Sequence, residues 1–143
     1  MECIIYKNKK DGVSILYPIC SPELTLEMIA AKDVPSGVEY KIIKKDTLPE
    51  DRTFRDAWGI EDWSVVIKMD KAKEIWKNQW RKARKPKLET LDVEFMRAIE
   101  SGNISDQEEI KAKKQTLRDV TSVDLTPASN VEELKAIWPD CLK

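Results

Sequence analysis

Histidine is absent from this chain of 143 residues, and only four glycines are present. The lack of histidine excludes Ser-His-Asp and Cys-His nucleophile systems, and it excludes His-ligated metal sites. The glycines are scattered, whereas a phosphate-binding loop or a dinucleotide fingerprint needs clustered glycine for close approach to phosphate. No catalytic constellation is visible, and we expect neither a cofactor nor a metal. The sequence therefore indicates a binding or assembly protein rather than an enzyme.

Cysteine and long apolar stretches are also scarce. The three cysteines, Cys3, Cys20 and Cys141, are an odd and widely spaced set that forms no zinc pattern and suits a reducing compartment. We expect them to be idle or buried thiols. No stretch approaches the length of a membrane span, and the first residues carry no apolar signal-peptide core. These features predict a cytoplasmic protein that does not associate with membranes.

Residues 1–69 have the pattern of strands and turns. A short apolar run at residues 4–6, turn residues at 8–12 and a second apolar run at 13–17 predict a β-hairpin. Spacing predicts a short helix over 24–32, and alternation predicts further strands near 38–43 and 64–69. Phe54 and Trp58, four residues apart, indicate one helical turn anchored on the core. The alternative is that they form a contact surface with Arg52 and Arg55.

Residues 70–143 have helical periodicity and recognisable caps. Asp70 is a candidate N-cap for a helix that Pro86 kinks or interrupts, and the apolar pattern then resumes up to Ile99. Gly102 suits the end of that helix. Capping-box spacings predict two more helices, and these spacings are Ser105 with Glu108 and Asn130 with Glu133. We thus predict an α+β fold with a small antiparallel sheet of three to four strands, a long kinked helix and a shorter antiparallel helix.

Charge is segregated along the chain. Residues 71–87 contain eight lysines and arginines and one acid, a net charge of +7, so the other residues must sum to −8 to give the total of −1. Three interpretations stay open: a solvated face, a nucleotide or nucleic-acid site, and a surface that docks an acidic partner. A pI near 5.7 argues against a dedicated duplex-DNA binder. Adjacent carboxylates diverge on a helix, so they are weak candidates for acid-base or metal chemistry.

Residues of the helical half match a motif. The matching residues are Arg81, Arg84, Leu88, Leu91, Asp92, Gln115, Leu117, Arg118, Asp119, Val120, Trp138 and Pro139. This half resembles the carboxy-terminal segment of phage tail-fibre and tail-assembly-chaperone proteins, with Val93 in place of the usual Trp and Lys113-Lys114 in place of Tyr-Arg. Nearly the whole chain is similar to a group of small uncharacterised prophage proteins, through the segments 4–6, 12–15, 31–35, 51–58 and 114–121.

The resemblance implies a phage protein in the cytoplasm of its host. We expect a non-enzymatic tail or tail-fibre assembly or accessory factor that acts by protein–protein binding and forms a homo-oligomer. The alternative is a counter-defence protein that sequesters a nucleotide immune signal or inhibits a host defence protein. From the residues themselves, we expect Asp119 to pair with Arg84 or Arg81 of the opposed helix. The candidate binding surface comprises Arg52, Phe54, Arg55, Trp58, Lys77, Trp80, Arg81, Arg84, Arg118 and Asp119.

Overall fold

The computed structural model describes all residues from Met1 to Lys143 and has the predicted α+β fold. The chain divides into two compact units, Met1–Ala72 and Lys73–Lys143. The strands are β1 (Glu2–Lys7), β2 (Val13–Leu16), β3 (Tyr40–Lys44), β4 (Trp58–Glu61) and β5 (Ser64–Ile67). The helices are α1 (Leu26–Asp33), α2 (Met69–Glu100), α3 (Ile104–Asp119) and α4 (Val131–Ala136). Single 3-10 turns lie at Lys45–Thr47, Arg55–Ala57, Val120–Ser122 and Asp140–Leu142.

The first unit is built on a three-stranded antiparallel sheet in the order β2-β1-β3. The predicted hairpin is confirmed as β1 paired with β2, with Ile5 opposite Ile15. Its turn is held by Asn8, whose side-chain oxygen accepts hydrogen bonds from the backbone N–H groups of Lys10 and Gly12, both at 3.0 Å. Such a side-chain acceptor satisfies turn donors that the strand ladder leaves unpaired.

The two faces of this sheet have separate hydrophobic clusters. On one face, Ile4 packs with Ile29 and Ala30 of α1. On the other face, Cys3 and Ile5 pack with Trp58. Successive residues of a strand point to opposite faces, and this explains why Ile4 and Ile5 enter different clusters. The continuous apolar run at the start of the chain therefore marks a strand that is covered on both sides.

The fourth predicted strand does not join this sheet. It forms β5, which pairs with β4 in a separate two-stranded hairpin. The single helical turn predicted between Phe54 and Trp58 is present as the 3-10 turn Arg55–Ala57, and Trp58, its C-cap residue, also begins β4, a strand that was not predicted. The connecting residues Asp62 and Trp63 have φ of 47° and 60°, as in a type I′ turn. Tryptophan is unusual at such a position, so the sequence carried no hairpin signal there.

The second unit contains most of α2, which continues through Pro86 without an interruption. Proline removes one backbone donor and crowds the preceding turn, yet the flanking turns keep the helix together. The expectation that Pro86 interrupts the helix is therefore wrong. Asp70 lies inside the first turn rather than at the N-cap, because the helix already begins at Met69. In the first turn, its carboxylate is still stabilised by the positive end of the helix dipole.

The turn between α2 and α3 is compact. Gly102 has a φ of 69°, and the N–H groups of Gly102 and Asn103 donate to the carbonyls of Ile99 and Ala98, each at 3.0 Å. This is the Schellman arrangement that glycine permits at a helix end. Asn103 then caps α3, since its side-chain oxygen accepts from the N–H of Asp106 at 3.1 Å. The predicted cap at Ser105 is wrong by two residues.

The second unit ends with short elements whose side chains complete its interior. Asn130 caps α4 as predicted, accepting from the N–H of Glu133 at 2.8 Å. Leu117, Leu134 and Leu142 are buried and come from α3, α4 and the last 3-10 turn. No helix of the structure combines the length and the apolar character that crossing a membrane requires.

Candidate functional site

Three side chains of α2 donate hydrogen bonds to backbone carbonyls near the ends of later elements. Trp76 Nε1 donates to the carbonyl of Ile137, the C-cap residue of α4, at 2.9 Å. Arg84 Nη1 donates to the carbonyls of Leu117 and Arg118 in the last turn of α3, at 3.3 and 2.9 Å. Lys87 Nζ donates to the backbone oxygen of Lys143 at 2.9 Å. Carbonyls at helix ends lack intrahelical partners, so these donors satisfy groups that would otherwise need water.

The predicted Arg–Asp brace between α2 and α3 is therefore wrong in its acceptor. Arg84 binds backbone carbonyls of α3, whereas Asp119 accepts a hydrogen bond from Gln115 on its own helix, at 2.8 Å. Arg118 lies in the last turn of α3, and its side chain is exposed. The two helices are antiparallel, because contacts between them pair Ala98 with Gln107 and Arg84 with the end of α3.

Two more predicted site residues, Trp80 and Lys77, are wholly or partly buried in the second unit. Trp80 is fully buried, so its ring belongs to the core of the second unit and offers no exposed face for stacking. Lys77 is half-buried near Asp124. Hydrogen bonds from Thr126 lower the pKa of the Asp124 carboxyl, and Lys73 and Lys77 add a smaller electrostatic contribution in the same direction. Part of the basic segment thus neutralises an acid of its own unit.

Three cations in the middle of α2 face solvent. Arg81, Lys82 and Lys85 are exposed, and we call these three residues the basic row. Arg81 is hydrogen-bonded to Asn78 and lies 3.9 Å from Glu74, in a weak surface contact. Of the eight basic residues in the segment 71–87, these three are the ones that are exposed. It is the part that an external partner could reach.

The far end of α2 carries an apolar surface that the sequence analysis did not single out. Val93, Met96, Ile99 and Ile104 are exposed by 51%, 57%, 47% and 66%, and we call them the distal patch. The first three follow one another at three-residue steps along α2, and Ile104 begins α3 just beyond the turn. Ile99, the last residue of the apolar repeat in the sequence, is among these exposed side chains. A concentration of exposed large apolar side chains is typical of an interaction surface.

Acidic residues surround the distal patch. Residues 88–100 contain four acids, Glu89, Asp92, Glu94 and Glu100, and one cation, Arg97. Asp92 is paired with Lys114 of α3 at 2.5 Å, and Lys114 also lies 5.4 Å from the centre of the Phe95 ring. The outer surface of α2 therefore changes along its length, from the basic row to an acidic and apolar end.

The candidates of the first unit separate into buried and exposed residues. Phe54 and Trp58 are 0% and 1% exposed, so their rings form core and not a contact surface. Arg55 stacks over the Trp58 ring, with its guanidinium carbon 4.7 Å from the ring centre, and it donates from Nη2 to the carbonyl of Val13 at 2.6 Å. Burial lowers the pKa of the Arg55 guanidinium, and neighbouring Arg52 adds a smaller effect. Arg52 itself is exposed.

Arg52 lines a small cavity of about 220 Å³ in the first unit. Tyr17 and Lys45 also line it, and the Lys45 ammonium lies 5.8 Å from the centre of the Tyr17 ring. Two acids, Asp46 and Glu50, line the same cavity and offset its two cations. The cavity therefore lacks the excess positive charge that a phosphate group would need.

The structure contains no group of three or more Cys, Asp or Glu side chains placed to hold a metal ion. All three cysteines are free: Cys3 is buried, Cys20 is exposed and Cys141 is half-buried. Burial raises the pKa of the Cys3 thiol, which suits an unreactive core residue. No family model, curated protein or solved structure matches this chain.

Proposed function

We propose that this protein is a non-catalytic binding protein that acts in assembly, and that the outer surface of α2 is its contact surface. The observation that carries the proposal is the distal patch, four large apolar side chains exposed at one end of the α2–α3 hairpin. Burying such side chains against a partner stabilises the complex by about 25 cal/mol for each Å² of apolar surface removed from water. The basic row on the same helix adds charge that orients a partner.

The partner we propose is protein rather than nucleic acid. A phosphate polymer would meet the basic row but would be repelled by the acids that surround the distal patch. A protein surface with an apolar centre and charges of both signs fits the whole length of α2. A second copy of this chain meets this description, and so does a tail or tail-fibre polypeptide of a phage, the partner that the resemblance of the helical half suggests.

Light scattering coupled to size-exclusion chromatography tests self-association directly. We expect the wild-type chain to form an oligomer at micromolar concentration, and the double variant V93D/M96D to be monomeric with unchanged helicity. The matched control is I19D, because Ile19 is 90% exposed and lies in the first unit. A monomeric wild-type chain would remove the homo-oligomer from the proposal. If, in addition, no tail or fibre polypeptide binds the immobilised protein, the proposed assembly function is contradicted.

The nucleotide-binding alternative retains less support from its predicted residues. Trp80 is buried and Arg55 is bonded to the backbone of the first unit, so Arg52 and the basic row are the exposed residues left to this alternative. The cavity beside Arg52 carries balanced charge, as described above. Thermal-shift measurements against cyclic nucleotides and ADP-ribose derivatives decide this alternative, because a ligand that binds only the folded state raises its stability.

A further inference from the structure

The second unit contains an open groove that the proposed contact surface does not use. It has a volume of about 430 Å³ and lies between α2 and α3, beside the last turn of the chain. Its lining residues are Lys87, Thr90, Leu91, Lys113, Thr116, Leu117 and Cys141. This volume falls within the range of small-molecule sites in proteins, which are concave and mostly apolar with a few polar groups at fixed places.

The floor of the groove offers no free hydrogen-bond donor. The Thr90 hydroxyl donates to the carbonyl of Pro86 at 3.0 Å, and the Thr116 hydroxyl donates to the carbonyl of Ala112 at 3.1 Å. Both hydroxyl protons are thus used within their own helices. With Leu91, Leu117 and the Cys141 side chain, the floor presents mainly carbon and sulfur, which favours an apolar ligand body.

The charged groups of the groove are both cations, one on each helix. Lys87 extends from α2 and Lys113 from α3. Each ammonium already has one oxygen partner, since Lys87 Nζ lies 2.9 Å from the backbone oxygen of Lys143 and Lys113 Nζ lies 2.7 Å from Glu109. An ammonium has three donor protons, so each lysine retains donors for a ligand. Glu109 does not itself line the groove, so the lining side chains include two cations and no acid, above an apolar floor.

From this juxtaposition we propose that the groove between α2 and α3 binds a small amphiphilic anion. The apolar body would lie along Leu91, Leu117 and Cys141, and its carboxylate would be held between Lys87 and Lys113. A cationic amphiphile would meet two ammonium groups at the same place, so the sign of the head group sets the selectivity. The proposal is independent of the distal patch, and either can fail without the other.

Cys141 provides the test, because it lines the groove, while Cys20 is exposed in the first unit and Cys3 is buried. The rate of alkylation of each thiol is followed by mass spectrometry in the presence of sodium decanoate, decanol or decyltrimethylammonium. The two ionic amphiphiles are kept below their micelle concentrations, and decanol is kept below its solubility limit. We expect decanoate to slow modification of Cys141 roughly tenfold at about ten times its dissociation constant, by occupancy of the site. Cys20 should react at an unchanged rate in the same sample.

Substitutions separate binding from general stabilisation. K113E should abolish the protection by decanoate, and T116W should do so by filling the groove. The control K111E changes a lysine of the same helix that is equally exposed, 57% in each case, and lies outside the groove. If T116W does not fold, K113E alone decides the outcome. Equal protection by all three amphiphiles, no protection by decanoate, or protection that survives K113E would overturn the proposal.

Discussion

Arg84 of α2 donates a hydrogen bond of 2.9 Å to the backbone carbonyl of Arg118, so one arginine caps the end of a helix that begins twenty residues after it. A second bond from the same Nη1 atom reaches the carbonyl of Leu117 at 3.3 Å. Arg118, whose carbonyl accepts this bond, is itself a cation, and its side chain is exposed to solvent. The contact is specified by backbone geometry and not by side-chain charge.

Replacing Arg84 should destabilise the second unit. R84M keeps much of the apolar stem but leaves two carbonyls of α3 without this donor, and a hydrogen bond to a charged group contributes about 1.5–3 kcal/mol in favourable cases. We expect a loss of about 1–2 kcal/mol in the free energy of unfolding by urea, because part of the site is open to water. The control K82M removes an exposed cation of the same helix. Equal losses in both variants would contradict the capping role.

The cap of α3 can be located by two alanine substitutions. N103A removes the side-chain oxygen that accepts from the N–H of Asp106, and losing such a cap costs about 1 kcal/mol. S105A changes the residue that the capping-box spacing favoured, and it should leave the free energy of unfolding within about 0.5 kcal/mol of wild type. Urea unfolding followed by far-UV circular dichroism measures both variants. A larger loss in S105A than in N103A would place the cap at Ser105.

The Asp11 carboxylate should make the first unit sensitive to acid. Asp11 lies 2.5 Å from Lys7 and 2.7 Å from Lys68, and hydrogen bonds from Lys68 and then Lys7 hold its pKa well below the usual range. Because the pKa of this carboxyl is lower in the folded state, its ionised form stabilises the protein at pH values above the unfolded-state pKa of about 4. This contribution is lost as the pH falls below that value.

The substitution D11N tests this acid dependence. Asparagine tolerates the positive φ of 59° at this position, so the turn is preserved. Thermal unfolding should show a difference between wild type and D11N at pH 7 that shrinks as the pH falls from about 4 toward 2. The control E39Q changes an exposed acid of the same unit. A difference that stays constant with pH would contradict the role of these ion pairs.

Reversing charge in the basic row tests the proposed contact surface. K82E/K85E should weaken self-association and leave the free energy of unfolding nearly unchanged, because both side chains are exposed. Raising the salt concentration should weaken the wild-type oligomer and have less effect on the variant. Analytical ultracentrifugation at two salt concentrations measures this. Oligomers of equal stability in both proteins at low salt would show that the basic row is only a solvated face.

Much of the fold follows from local signals in the sequence. The hairpin of β1 and β2 has a turn rich in polar residues between two apolar runs, and the strands pair as those signals predict. Gly102 ends the helix pattern at the place where a positive φ is needed. In such places the chemistry of one or two residues decides the local conformation, so sequence reasoning reaches the correct structure.

Errors arose where tertiary contacts outweigh local preference. The helical spacing of Phe54 and Trp58 marks the single turn between them, but it gives no sign that Trp58 also starts a strand that pairs with β5. The acceptor of Arg84 could not be predicted because every residue has a backbone carbonyl, and nothing in the sequence marks those of Leu117 and Arg118. The distal patch was missed for another reason: an apolar residue on a helix gives no sign of whether a neighbour covers it.

The hydrogen bonds that α2 donates have a consequence for the order of folding. The bonds of Arg84, Lys87 and Trp76 span 33, 56 and 61 residues of chain. Contacts between distant residues must close long loops before they contribute, so they form late and slow the reaction. During synthesis, therefore, α2 emerges with donors that have no acceptors until residues 117–143 follow. The helix is made early, but its anchoring is deferred to the last part of this sequence.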